Sequence, residues 1–146
     1  MIIVNDIIKA IESVAPLNWQ ESYDNAGLQV GGRFQSVSGA VVCLDVTEAV
    51  VDEAISMGYN LIRSHHPLLF KGLKSITGNS YVERIVIKAI QHNIAIFAAH
   101  TNLDNAPEGV SYRMARKLGL TSIRVLDPLC GRLINLVLYV PSTHVE

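Results

Sequence analysis

From Gly39 onward the chain alternates between short β-branched runs and amphipathic stretches of helical period, a pattern that requires a layered sheet of mostly parallel strands with flanking helices. Residues Ala40 to Val46 read as a strand. Glu48 to Met57 reads as a helix with Thr47 as its N-cap and Gly58 as its stop, and Asn60 to Ser64 as the next strand. A loop containing Pro67, Lys71, Gly72 and Lys74 leads to a second helix, Tyr81 to His92, with Val82, Ile85, Val86, Ala89 and Ile90 on one face. Strand Ile94 to Ala99 completes this second unit. The fold class is therefore α/β.

The flanking segments are less regular. Ile7, Ile8, Ile11 and Val14 form the stripe of a first helix that ends before Pro16. Between Glu21 and Gly32, the residues Asp24, Asn25, Gly27, Gly31 and Gly32 bracket a short apolar run, which predicts a shaped loop with an edge strand at Leu28 to Val30. Asp24 and Asn25 read as turn formers, and Trp19, Tyr23 and Phe34 as packing residues. Pro107 suits the first turn of a third helix reaching Leu118 and closed by Gly119. Two β-rich stretches follow, Ser122 to Leu126 and Leu133 to Val140, separated by the punctuation of Asp127, Pro128 and Gly131.

Composition narrows the setting. A chain of 146 residues supports one core, and 49% hydrophobic against 17% charged residues suits a sheet covered on both faces or a large subunit interface. Twelve basic and thirteen acidic residues give a net charge of -1, which provides no general attraction to nucleic acid or an anionic membrane. Cys43 and Cys130 lie in apolar contexts without metal-ligand spacing and read as buried free thiols. Neither a signal peptide nor a membrane span is predicted at the N-terminus, and a cytoplasmic location is expected.

Ligands of open parallel sheets collect at the carboxyl ends of the strands. Asp45 follows the first strand of the alternation, His65 and His66 the second, and His100, Asn102 and Asp104 the third. Imidazoles and carboxylates delivered to one edge suit divalent zinc, manganese, iron or a similar ion. Adjacent residues of an extended chain point to opposite sides, so His65 and His66 are expected to serve two metals, with Asp104 bridging or capping one. His100 is the candidate catalytic group for proton transfer, and His100 and Asn102 would support the ligands. Asp45 is expected to be satisfied by local backbone groups, His92 to sit at a helix end outside the site, and Lys71 and Lys74 to be solvated. Dinucleotide, P-loop and serine-hydrolase motifs are absent from the sequence.

Four segments together resemble one family: Tyr23 to Gly31 (YDNAGLQVG), Cys43 to Thr47 (CLDVT), Ser64 to Leu68 (SHHPL) with Phe70 and Lys71, and Ala99 to Asp104 (AHTNLD). The chain resembles the NGG-interacting factor three-like proteins, a family also known as GTP cyclohydrolase I type two homologues or dinuclear metal centre proteins. The resemblance implies a homohexameric ring with two divalent metal ions per subunit, held by His65, His66 and Asp104. It also implies a further His and Glu from the C-terminal part of longer members. Residues 1–126 would then be the N-terminal part of the dinuclear metal centre domain. Residues 127–146 would begin an inserted domain resembling the PII or CutA class, so His144 and Glu146 are not assigned as ligands. The chain as a whole is expected to be the opening part of a longer protein. Two functions follow as expectations: a metal-dependent hydrolase acting on a phosphate or nucleotide-like small molecule, or a metal-binding assembly or regulatory protein without turnover.

Overall fold

The computed structural model describes residues 1–126. The elements are α1 (Val4–Glu12), a short 3-10 turn at Leu17–Trp19, β1 (Gly27–Val30), β2 (Ala40–Cys43), α2 (Glu48–Ser56), β3 (Leu61–Ser64), α3 (Tyr81–Gln91), β4 (Ala95–Ala98), α4 (Thr101–Asp104) and α5 (Val110–Lys117). The four strands form one sheet in the order β1-β4-β3-β2. Strands β2, β3 and β4 are parallel, and β1 lies antiparallel on the β4 edge.

Side-chain alternation along the strands divides the core in two. Ile62 and Ile96 point to one face, where they meet Val51 and Ala54 of α2 and Ile85, Val86 and Ala89 of α3. Leu61, Ala95 and Phe97 point to the other, against Val4 and Ile8 of α1. Every residue of β4 is buried, as expected for a parallel strand covered on both sides. β2 differs: Val41 and Cys43 join the first core, whereas Val42, on the face of α1, is 70% exposed and neighbouring Leu44 is exposed as well. Helix α1 covers the inner strands and leaves this outer edge open.

Local chemistry sets the element ends. The Thr47 hydroxyl accepts from Val50 N at 3.2 Å, and the Ser80 hydroxyl accepts from Glu83 N at 3.2 Å, each capping its helix. Gly58 and Gly119, both with positive φ, close α2 and α5. Gly31 is required for close packing, since a Cβ there would lie 2.8 Å from the Cα of Ala95.

Several sequence expectations change. The first helix starts earlier, at Val4, and buries Val4 and Ile8 one turn apart, while Val14 lies beyond its end and is exposed. The helix expected from Pro107 to Leu118 is present as α5 but begins only after Gly109, and the short helix α4, before Pro107, was not expected. Among the described residues, Ser122 to Leu126 forms no strand and pairs with none of the four strands of the sheet. Tyr23 and Phe34 are exposed rather than packed, and Cys43 is a free, half-buried thiol. The boundary near Asp127, the stretch Leu133 to Val140, Cys130, His144 and Glu146 lie outside the described residues. Among the described residues no helix is long and apolar enough to cross a membrane.

Candidate metal centre

Parallel register places the strand-end residues side by side. Cys43 is opposite Ser64, and Ser64 is opposite Ala98, so the residues that follow these three strands emerge at one edge. The ladder continues past the strands: His65 N donates to Cys43 O at 3.1 Å, His66 N to Leu44 O at 2.9 Å, and Ala99 N to Ser64 O at 3.0 Å. The backbones bearing the candidate groups are thereby held by the sheet itself.

His65, His66 and His100 come together there. Their ring centroids are 5.0 Å apart for His65 and His66, 5.2 Å for His65 and His100, and 5.5 Å for His66 and His100. One ligand-capable atom from each lies within 4.8 Å of those of the other two. The expectation that His65 and His66 diverge is corrected by this geometry. Strict alternation ends with the strand at Ser64, where the chain bends and the Ser64 hydroxyl donates to His66 O at 2.8 Å. Asp104 approaches the same group, its Oδ1 3.7 Å from His65 Nε2. Phe70 stands edge-on to His100 with centroids 6.4 Å apart. His92 closes α3 at the opposite end of the sheet, just before β4 begins.

Each imidazole is oriented through its Nδ1. His65 Nδ1 lies 3.0 Å from Ala99 O, His66 Nδ1 2.8 Å from Asp45 Oδ1, and His100 Nδ1 2.9 Å from Asp24 Oδ1. Carbonyl and carboxylate oxygens only accept, so in the neutral rings Nδ1 carries the hydrogen and Nε2 keeps its lone pair. A metal-binding histidine is commonly oriented in this way by an oxygen behind it.

Two of those oxygens belong to residues read differently from the sequence. Asp45 was expected to bond local backbone, and instead holds His66. Asp24 was expected to shape a turn; it does bond Asn25 N at 2.7 Å, but its buried carboxylate also reaches His100 and Thr101 across the fold. Thr101 N donates to Asp24 Oδ2 at 3.1 Å, and the Thr101 hydroxyl donates to the same oxygen. Burial pushes the Asp24 carboxyl up, but hydrogen bonds from His100, Thr101 and Asn25 outweigh it and hold the group below its ordinary value. The segment beginning at Tyr23 is thus a brace: the Asn25 amide donates to Leu69 O, and Gln29 Oε1 accepts from Leu69 N at 2.8 Å. The pairing of distant residues carries no periodic signal, although the polar cluster itself was visible between the glycines. Asn102 is fully buried, but its amide is spent on His100 N at 2.9 Å and Ala15 O at 2.7 Å, so it supports the backbone of the site rather than transferring protons. Lys71 and Lys74 are exposed.

Comparison with known proteins agrees with this architecture. A curated relative from Halalkalibacterium halodurans, named GTP cyclohydrolase 1 type 2 homolog, is 41% identical over 141 residues, covering 96% of this chain and 38% of the relative. A Staphylococcus aureus (strain MRSA252) protein of the same name is 39% identical over 142 residues, 97% of this chain and 38% of its own length. The chain therefore spans under half the length of these curated relatives. Among solved structures, a Bacillus cereus protein related to NIF3 superposes with a TM-score of 0.81 at 43% identity, over 88% of this chain and 35% of that one. Reduced HcgD from Methanocaldococcus jannaschii gives 0.76 at 28% identity, over 83% of this chain and 48% of that one. The family model described as Duf34/NIF3 (NGG1p interacting factor 3) matches residues 2–143, which takes in the whole sheet and every strand-end residue above, and the chain belongs to that family.

Proposed function

We propose that His65, His66 and Asp104 hold divalent metal, with His100 as the proton-transferring group, in a metal-dependent hydrolase acting on a phosphate or nucleotide-like molecule. The observation that carries this reading is the set of three imidazoles whose Nδ1 atoms are each committed to an oxygen, leaving three Nε2 lone pairs at one edge of the sheet. Nitrogen donors with a neighbouring carboxylate fit zinc, manganese or iron, and the residues present therefore fit the group that the family resemblance implies. Bound metal would polarise a substrate oxygen and lower the pKa of a water.

The chain's own residues have separate tasks in this scheme. Ala99 O fixes the ring of His65, and Asp45 that of His66. His100, held from behind by Asp24, presents a basic nitrogen that accepts a proton and returns it to a leaving group. The shared name of the relatives, GTP cyclohydrolase 1 type 2 homolog, supports a nucleotide-like substrate. A second metal would draw on the additional His and Glu that the resemblance implies. Assembly into a homohexamer belongs to the same reading, supported by exposed Val42 and Leu44 at the open edge of the sheet; a full-length protein sedimenting as a monomer would remove it.

The test is metal analysis after dialysis of the chain and of a His65→Ala, His66→Ala double variant, followed by assay of the full-length protein against nucleotides and phosphoesters with and without chelator. Loss of metal in the variant and chelator-sensitive turnover are expected. Unchanged occupancy overturns the ligand assignment, and retained metal without turnover on any substrate favours a non-catalytic metal-binding protein.

A further inference from the structure

We propose that Asp24 is a positioning residue that fixes the tautomer of His100, so that in the neutral ring the nitrogen beside the other two imidazoles is the acceptor. The inference rests on the reading that His100 serves the metal centre, and adds to it a residue 76 positions away in sequence.

The two oxygens of Asp24 do different work. Oδ2 accepts from the Thr101 backbone N–H and from the Thr101 hydroxyl. That hydroxyl already accepts from Glu21 N at 2.9 Å, so its own hydrogen is free to point at Asp24. Oδ1 accepts from Asn25 N and faces His100 Nδ1. With the carboxylate ionised and acceptor-only, the nitrogen of a neutral His100 ring that faces Asp24 has to carry the hydrogen, and the other has to be bare. Thr101 and Asn25 lie on two different elements, α4 and the loop before β1, so the carboxylate is located from both sides and carries the ring with it.

Asparagine tests the electronic role at nearly constant shape. Thr101 is buried, so its N–H and hydroxyl need an oxygen and should draw the amide oxygen of Asp24→Asn to the Oδ2 position. Asn25 is exposed and its N–H can turn to water. The amide NH2 then faces His100 Nδ1, which can satisfy it only as an acceptor, and the hydrogen moves to Nε2. The same aspartate-to-asparagine change behind a catalytic histidine in serine proteases keeps the geometry and selects the wrong tautomer.

The experiment is a long-range proton–nitrogen NMR correlation of the labelled, metal-free chain at alkaline pH, with His100 identified by its loss in His100→Gln. Wild type should show His100 protonated at Nδ1, Asp24→Asn should show it protonated at Nε2, and Thr101→Val should resemble wild type. A residue acting only as a loop clamp would lower stability in both variants and change the tautomer in neither. An Nε2-protonated His100 in wild type, or an unchanged tautomer in folded Asp24→Asn, overturns the proposal. Should Asp24→Asn not fold, wild type and Thr101→Val decide: Nδ1 protonation in both supports it, and Nε2 protonation in either overturns it. No metal or substrate enters the measurement, so a tautomer switch alongside unchanged metal occupancy in the His65→Ala, His66→Ala variant would sink the metal centre and leave the Asp24–His100 pair standing.

Discussion

Two carboxylate–imidazole pairs flank the same cluster with nearly equal geometry, 2.9 Å for Asp24–His100 and 2.8 Å for Asp45–His66, yet their surroundings are opposite. The side chain of Asp24 is 0% exposed and that of His100 18%, whereas Asp45 and His66 are 60% and 45% exposed. Contact distance is thus a poor guide to energetic weight. Asp24 is tied to two residues, Asn25 and Thr101, besides sitting behind an imidazole in a low-dielectric setting, and its removal strands the buried donors of Thr101. Asp45 lies at the open β2 edge, where water replaces whatever is removed.

Replacing each aspartate breaks or sharpens that contrast. Asp24→Ala should cost about 3 kcal/mol of stability, from unsatisfied donors at Thr101 and His100. Urea unfolding measures it, and an equal loss in Asp45→Ala would show that burial does not separate the pairs.

Glu83 extends the comparison to a buried carboxylate with no imidazole partner. Hydrogen bonds from Thr77 N and then the Thr77 hydroxyl, with Ser80 and Asn79 adding to them against the effect of burial, hold it down to about 2 from an ordinary 4.5. A folded pKa below the unfolded one gives stability that is fully present above 4.5 and lost as pH falls towards 2. Glu83→Gln should therefore flatten the pH dependence of the unfolding midpoint in that window. A slope identical to wild type would show that Glu83 does not clamp the loop preceding α3.

Asp45→Ala should change stability by less than about 1 kcal/mol, yet weaken metal retention by about tenfold or more because His66 loses its orienting partner. Titration with zinc measures the second effect, and unaltered affinity would detach Asp45 from the proposed centre. The smallest change is expected at Lys88→Ala, where an exposed ion pair with Asp52 joins α3 to α2. Its loss should shift stability by only about 0.5 kcal/mol, and a much larger shift would mean that this surface pair is more than a solvated contact.

The sheet was legible because a parallel strand buried on both faces must be nearly all apolar, as in Ile94 to Ala99, and because Thr47, Gly58 and Gly119 punctuate helices by mechanisms that act within a few residues. The positions of His65, His66, His100 and Asp104 at strand ends followed from the same pattern. Tyr23 and Phe34 were misread because aromatic character says nothing about whether a surface lies opposite, and Pro107 because its fitness for a first helical turn does not oblige a helix to begin there.

The sequence by itself determined the α/β class, the order of strands and helices from Ala40 to Ala98, and which residues arrive at the carboxyl edge, since all of these depend on local periodicity and capping. Only the tertiary structure decided that His65 and His66 face the same way and that Asp24 and Asp45 stand behind imidazoles rather than serving their own turns. Those outcomes depend on strand register and on hydrogen bonds between residues 21 and 76 positions apart, and such pairings leave no repeating pattern in the chain that makes them.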